Sequence, residues 1–202
     1  MSFKSYKGPS NSPWGEVQHR QEEAPGIVFL ETAGHGGYWV SKQRFDAMPE
    51  HLRCNSRGKA LRFFEEDCEV ALVALAFPEE LSDKVDVEVA TKTVREWFPD
   101  VYEKHFGRKL TPGESHARDK ETFQKENADK WVVISAVGGW HEDCPKGMVL
   151  VWATKGGRRG FTLPEEWEMP TERKFLVPDA EYDARGQFGF VVDLEKHEEI
   201  KT

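Results

Sequence analysis

The sequence predicts an α+β protein with a largely antiparallel sheet and amphipathic helices packed on it. Two observations predict this class. Runs rich in β-branched and aromatic residues lie near 26–40 and 131–192, and apolar residues at helical spacing lie between them. Each helical stripe needs a partner surface, so we expect one sheet from both strand groups, with helices near 65–77 and 84–98 packed on it.

The length and composition favour a single domain. A chain of 202 residues with seven tryptophans and thirteen phenylalanines can bury a substantial core without disulfide or metal support. The polar start, rich in Ser, Gly and Pro, predicts a flexible arm over 1–12. A single domain is then expected over 13–195, and a C-terminal tail over 196–202.

The first strands are predicted around a glycine-rich turn. Residues 16–22 are polar and suit an edge strand, whereas 27–32 form a better strand. Residues 38–40 continue that strand or pair with it across the glycines. Ser41 suits the N-cap of a short helix that carries Phe45.

Two helices are predicted in the middle of the chain. The first has one apolar face, with residues 65–67 as an acidic first turn; its face is Phe64, Cys68, Ala71, Leu72 and Leu75. The second is capped by Ser82 or Asp83 and interrupted by Pro99, and its apolar positions are Val87, Ala90, Val94, Trp97, Phe98 and Val101.

The second half of the chain returns to strand patterns. Residues 108–130 are polar and form either a linker or a solvated helix. Further strands are predicted at 131–134, 148–152, 161–163, 175–177 and 188–192.

Charge and cysteine content limit the function classes. The formal net charge of -8 argues against a non-specific grip on nucleic acid or an anionic membrane, and it is compatible with docking onto a basic protein surface. Three cysteines without close spacing, and no secretion signal, predict reduced thiols in the cytoplasm. No apolar run approaches the roughly 18 residues of a membrane helix.

His35 is the leading candidate for chemistry, because it stands among glycines that allow close approach to the backbone. A carboxylate from Glu66 or Asp67 beside its imidazole would suit general acid–base catalysis. That hypothesis predicts a concave pocket lined by Trp14, His35 and the carboxylates. The alternatives are a structural hairpin, with the acids stabilising a helix N-terminus, or recognition of a ligand or partner through Trp14, Gly36, Gly37 and Trp39.

Other polar motifs give weaker indications. His141 and Cys144 could hold zinc, but no second ligand pair has matching spacing, so a polar loop is favoured. The basic glycine-rich turn at 155–160 could bind an anion, yet it lacks the context of a phosphate-binding loop. We therefore predict neither a metal nor a cofactor.

Several short motifs together resemble a domain family of unknown function found in proteobacteria and in their phages and plasmids. The resemblance extends over about 12–195, with Phe63-Phe64 where the family usually has an aromatic pair containing Trp or Tyr. Its motifs are Ser12-Pro13-Trp14-Gly15, Gly34-His35-Gly36-Gly37, Phe64-Glu65-Glu66-Asp67, Ala76-Phe77-Pro78, Phe175-Leu176-Val177-Pro178, Glu181-Tyr182, Gly186 and Phe188-Gly189-Phe190-Val191-Val192-Asp193.

The resemblance implies an accessory role in mobile elements and implies no activity. The leading hypothesis is therefore an acidic accessory protein that binds a host or defence protein through a basic surface of that partner. The alternative is a small hydrolase or transferase that uses His35 with Glu66 or Asp67, and a weaker one is a nucleic-acid mimic. Oligomeric state is not predicted.

Overall fold

The computed structural model describes residues 3–54, 62–159 and 170–200. Within these ranges the chain forms six α-helices and ten β-strands, and the strands make three antiparallel sheets. The predicted α+β class is therefore confirmed. The chain divides into two compact units, Met1–Arg118 and Asp119–Thr202.

The first unit is built on a four-stranded antiparallel sheet of order β3-β4-β5-β6. Its strands, with the small β1–β2 pair that precedes them, are β1 Asn11–Ser12, β2 Gly15–Glu16, β3 His19–Ala24, β4 Ile27–Glu31, β5 Gly36–Val40 and β6 Phe63–Glu65. Its helices are α1 Lys42–Ala47, α2 Val70–Ala76, α3 Val87–Trp97 and α4 Pro99–Phe106, with a 3₁₀ turn at Glu50–Leu52.

The hairpin of β4 and β5 is the central feature of this sheet, and it decides between the two alternatives for residues 38–40 in favour of pairing. Its register places Glu31 opposite Gly36 and Leu30 opposite Gly37. The polar strand β3 lies at the sheet edge, which confirms the edge strand expected near 16–22. Ser41 caps α1, because its side-chain oxygen accepts a hydrogen bond from the Arg44 backbone N–H at 3.2 Å.

The helices of this unit pack against its sheet through α2. Helix α2 contacts β5 and β6, α3 packs on α2, and α4 packs on α3. Their shared core includes Ile27, Val40, Phe64, Leu72 and Val94, each fully or almost fully buried. The prediction that helices pack on the 26–40 strands is therefore confirmed for α2, while α3 packs on α2.

The helix predicted from Phe64 is wrong in its first turn. Phe64 lies in β6, opposite Tyr38 of β5, and Cys68 lies in the turn that follows. The i, i+4 spacing of these two residues arises from a strand and a turn, and α2 begins only at Val70. Residues 65–67 are therefore not a helical first turn. The cap of α3 also differs from the prediction, since Asp86 rather than Ser82 or Asp83 accepts the N-terminal hydrogen bonds.

The segment expected to be a flexible arm packs against the first unit over its described part, residues 3–12. The ring of Phe3 lies edge-on to Phe77 at 6.1 Å, and the Tyr6 ring lies edge-on to Trp39 at 5.7 Å. Two aromatic side chains in a polar segment thus give it an apolar anchor on the body of the protein.

The second unit contains its own antiparallel sheet, of order β10-β9-β8-β7. Its elements are β7 Trp131–Val137, β8 Met148–Lys155, β9 Arg173–Pro178, α6 Asp179–Asp183 and β10 Glu198–Ile200. Val151, Phe175 and Val177 are fully buried in its core. Helix α5, His116–Glu126, resolves the alternative left open for 108–130 in favour of a helix, and no residue of it is buried.

The expectation of one shared sheet is wrong. The strands of 26–40 and those of 131–192 belong to separate sheets in separate units. Residues 188–192 add only bridging contacts such as Val132–Val191, and part of the predicted tail forms β10. The strand predicted at 161–163 lies outside the described residues. A single folding domain over 13–195 stays a prediction.

Candidate functional site

An open depression of about 350 Å³ lies on the first unit, where the β4–β5 hairpin meets the turn after β6. It lies at the glycine-flanked histidine that the sequence indicated. Its lining is Phe29, Glu31, Thr32, Ala33, Gly34, His35, Gly36 and Glu66.

The hairpin turn fixes the backbone of His35 and leaves its ring exposed. The Thr32 hydroxyl accepts a hydrogen bond from the His35 backbone N–H at 3.2 Å. The Thr32 backbone N–H and hydroxyl both donate to the His35 carbonyl, at 2.9 and 2.8 Å. In the part of the chain that the structure describes, neither ring nitrogen of His35 has a hydrogen-bond partner. The imidazole is therefore available to a ligand.

Glu66 is held beside His35 by the backbone of Gly36. The Gly36 N–H donates to Glu66 Oε1 at 2.9 Å, and the Glu66 N–H donates to the Gly36 carbonyl at 3.1 Å. A Cβ at position 36 would collide with Glu66 Oε2 and would lie 2.9 Å from Phe29 Cζ. The glycine is thus required for the close approach of this carboxylate.

Glu65 is a member of the site that the sequence reasoning missed. Its Oε2 accepts a hydrogen bond from the Asp67 backbone N–H at 2.9 Å, and its own N–H donates to the buried Glu69 carboxylate at 3.0 Å. Burial raises the pKa of the Glu65 carboxyl, and the nearby charges of Asp67, Glu66 and Glu69 raise it further, against the opposing effect of the Asp67 N–H. The sequence feature that could have indicated Glu65 is its position next to Glu66 at the end of a strand.

The three side chains of His35, Glu65 and Glu66 converge. One ligand atom from each lies within 4.8 Å of the other two, with His35 and Glu66 exposed and Glu65 half-buried. The arrangement brings one imidazole nitrogen and two carboxylate oxygens to one point. Such a set can accept protons, orient a water molecule or hold a cation.

The other predicted site residues lie outside this cluster. Asp67 contributes its backbone N–H to Glu65, and its carboxylate is not part of the converging group. Trp14 does not line the depression; it packs edge-on against Phe63 at 6.0 Å and closely over Gly37. Of the residues expected to line a pocket, His35 and Glu66 line this depression and Trp14 and Asp67 do not. The roles proposed for these residues stay predictions.

Gly37 and Trp39 have structural surroundings. A Cβ on Gly37 would meet the Phe64 carbonyl and, at 2.5 Å, the Trp14 ring. Trp39 is 9% exposed and belongs to the small apolar cluster on the sheet face that the Tyr6 ring contacts. Gly37 and Trp39 therefore contribute to packing around the hairpin and do not line the depression.

The weaker sequence motifs gain no support as ligand sites. The Cys144 thiol is buried and donates to the Met148 carbonyl at 3.0 Å, while His141 Nδ1 accepts from the Asp143 N–H at 3.3 Å. Across residues 3–54, 62–159 and 170–200, the His35 group is the one set of three possible metal ligands. In the basic turn, the Gly156 and Gly157 N–H groups donate to backbone carbonyls, so neither is open to an anion.

None of the helices in the described ranges has the length and apolar content needed to cross a membrane.

The fold and the site together define an α+β protein with a surface cluster of one imidazole and two carboxylates. The chain belongs to the family described as Domain of unknown function (DUF7007), whose model matches residues 7–128. That stretch contains His35, Glu65 and Glu66. No curated protein and no solved structure matches the chain.

Proposed function

We propose that the chain is a hydrolase whose reaction takes place at His35, Glu65 and Glu66, beside the depression that His35 and Glu66 line. The convergence of these three side chains within 4.8 Å of one another is the observation that carries the proposal. The volume of about 350 Å³ suits a small substrate or one group of a larger one.

The lining favours an uncharged or cationic substrate. Glu31 and Glu66 line the depression, and none of the residues that the structure places in its lining is lysine or arginine. An anionic substrate such as a phosphate ester would therefore meet negative charge without a cationic side chain to offset it. Carboxylic esters and amides fit this lining better.

The chemistry is the attack of water on a carbonyl carbon. The water oxygen forms a bond to that carbon, and its proton passes to a basic group of the site. The bond from the carbonyl carbon to the leaving oxygen or nitrogen then breaks, and the leaving group takes up a proton. The fixed backbone of His35 and the tethered carboxylates keep the basic atoms in place for this step.

A panel of chromogenic esters and amides, with neutral, cationic and anionic members, tests the proposal. We expect turnover of neutral or cationic members and a loss of at least tenfold in kcat/KM for Glu66→Gln and His35→Ala. Glu79→Gln is the matched control, because Glu79 is an exposed carboxylate outside the depression. Activity that persists unchanged in Glu66→Gln would contradict the proposal, as would no turnover of any class.

Protein binding is the second candidate function, and the exposed face of α3 favours it. Val89 is 59% and Trp97 66% exposed on this helix, so apolar side chains are accessible to a partner there. Together with the net charge of -8, this supports an accessory protein that binds a basic surface of a host or defence protein. A nucleic-acid mimic would use the same acidity.

The three cysteines are free thiols, which supports placing the protein in the cytoplasm.

The binding hypothesis is tested on an identified partner. Affinity should fall as salt rises, because exposed charges are screened over about 8 Å at physiological ionic strength. It should fall again in Trp97→Ala. Unchanged affinity in both measurements would contradict this candidate, and competition by duplex DNA would identify the mimic.

A further inference from the structure

We infer that His35, Glu65 and Glu66 form a binding site for one divalent transition-metal cation, with Zn²⁺ as the fitting ion. The inference rests on the proposed function for its catalytic consequence, and on the geometry alone for binding.

The donor set matches such an ion. It has one imidazole nitrogen and two carboxylate oxygens, and no thiolate takes part. Imidazole ligands favour Zn²⁺ and its neighbours over Mg²⁺ and Ca²⁺, which prefer oxygen alone. Three protein ligands with an open fourth position are the pattern of catalytic rather than structural zinc sites.

The distances are compatible with a shared ion. At metal–ligand distances of about 2.1 Å, tetrahedral ligands lie about 3.4 Å apart. The three candidate atoms lie within 4.8 Å of one another, so a contraction of about 1.4 Å or less brings them into place. Side-chain rotation can supply this movement, because His35 and Glu66 are exposed.

Each carboxylate is already oriented through one oxygen. Glu66 uses Oε1 to accept from the Gly36 N–H, and Glu65 uses Oε2 to accept from the Asp67 N–H. The second oxygen of each carboxylate is left for an ion. In metalloproteins, hydrogen bonds from groups that do not themselves bind the metal orient the ligand side chains in this way.

The charge balance also favours a cation. Two carboxylates brought close together repel each other, and a divalent ion between them removes that repulsion. The ion would also bind the attacking water of the proposed reaction and lower its pKa, so that hydroxide forms near neutral pH. With the three side chains engaged as ligands, Glu31, which also lines the depression, would accept the proton of that water in their place.

Isothermal titration of the chelator-treated full chain with ZnCl₂ tests the inference. We expect a site of one Zn²⁺ per chain whose affinity falls at least tenfold in each of His35→Ala, Glu65→Gln and Glu66→Gln. Glu79→Gln should bind as the unsubstituted chain does. His105→Gln removes the one close imidazole pair in the described residues, His51–His105 at 3.0 Å, and it should also leave the site intact.

The outcomes separate the two proposals. Zn²⁺ binding that depends on the three ligands, without hydrolysis of any substrate, supports the metal site and rejects the hydrolase. Hydrolysis that resists chelator, with no ligand-dependent Zn²⁺ binding, rejects the metal site and leaves the hydrolase standing. Zn²⁺ binding that is lost in His105→Gln but kept in the three ligand variants also overturns the inference. Circular dichroism of each variant confirms that it is folded.

Discussion

The substitution Gly36→Ala tests the construction of the site without removing any of its chemical groups. A Cβ at this position would overlap Glu66 Oε2 and would approach Phe29 Cζ to 2.9 Å. The carboxylate, as the end of a flexible side chain, is the group that moves. Its hydrogen bond from the Gly36 N–H, at 2.9 Å, is then broken or stretched.

The expected cost follows from these two contacts. Loss of a hydrogen bond to an exposed carboxylate is about 1 kcal/mol, toward the low end of values for such bonds. Crowding against the Phe29 ring adds about 1 kcal/mol, as modest overpacking does. For a chain of this length the sum lowers the melting temperature by about 4–8 °C. We expect Zn²⁺ affinity to fall at least tenfold as well, because a ligand is displaced.

Gly34→Ala is the matched control. No heavy atom lies within 4 Å of a Cβ built at Gly34, which is also exposed and close to His35. Both substitutions replace glycine by alanine, so their effects on the unfolded chain largely cancel. Thermal melts and Zn²⁺ titrations of the two variants are compared directly. Equal melting temperatures and equal affinities would refute the reasoning that Gly36 makes room for Glu66.

Three further predictions concern stability. Arg44 is 1% exposed, and its guanidinium lies 3.7 Å from the Phe3 ring centre. Arg44→Ala should therefore lower the free energy of unfolding in urea by about 3 kcal/mol. Lys42→Ala, at an exposed position, should lower it little, and equal losses would contradict a stabilising role for the buried Arg44 side chain. Burial lowers the pKa of both His51 and His105, so the folded state favours the neutral rings. The free energy of unfolding should therefore be highest above about pH 6.5, the ordinary pKa of histidine, and should decrease as the pH drops below it. The decrease should be smaller in His105→Gln, and an unchanged pH dependence in that variant would reject this cause. If 13–195 is one folding domain, fluorescence and circular dichroism should report one coincident thermal transition, and two separate transitions would reject it.

Sequence patterns predicted the local structure well where the residues that determine it are close together in the chain. The glycine-rich segment between two apolar runs gave a hairpin, and Ser41 gave the cap of α1. Pro99 separates α3 from α4. Each of these features depends on residues close together in the chain, whose conformational preferences are visible in the sequence.

The errors occurred where a distant partner decides the conformation. Phe64 belongs to β6 because it pairs with Tyr38, 26 positions earlier in the sequence, and its spacing to Cys68 carried no information about that pairing. Helix α2 is apolar throughout and five of its seven residues are buried, so it has no amphipathic period by which its start could be located. The pairing of strands into two sheets rather than one also depends on long-range contacts.

The candidate site could be predicted only in part, because neighbouring residues point to His35 and Glu66 but not to the position of Glu65. His35 was found from its glycine neighbours, and Glu66 from the acidic run that follows Phe64. Glu65 was missed as a partner because the run was assigned to a helix, in which neighbouring residues point in different directions. At a strand end followed by a turn, Glu65 and Glu66 can instead reach the same point as His35.

Anomalous diffraction at the zinc edge from a crystal of the full chain soaked in ZnCl₂ shows directly whether His35, Glu65 and Glu66 bind zinc. We expect a single strong peak at about 2.0–2.2 Å from a ring nitrogen of His35 and from one carboxylate oxygen each of Glu65 and Glu66. The same soak of Glu66→Gln crystals should lose that peak. Zinc bound elsewhere on the chain, with the three side chains left without an ion, would contradict a zinc site at His35, Glu65 and Glu66.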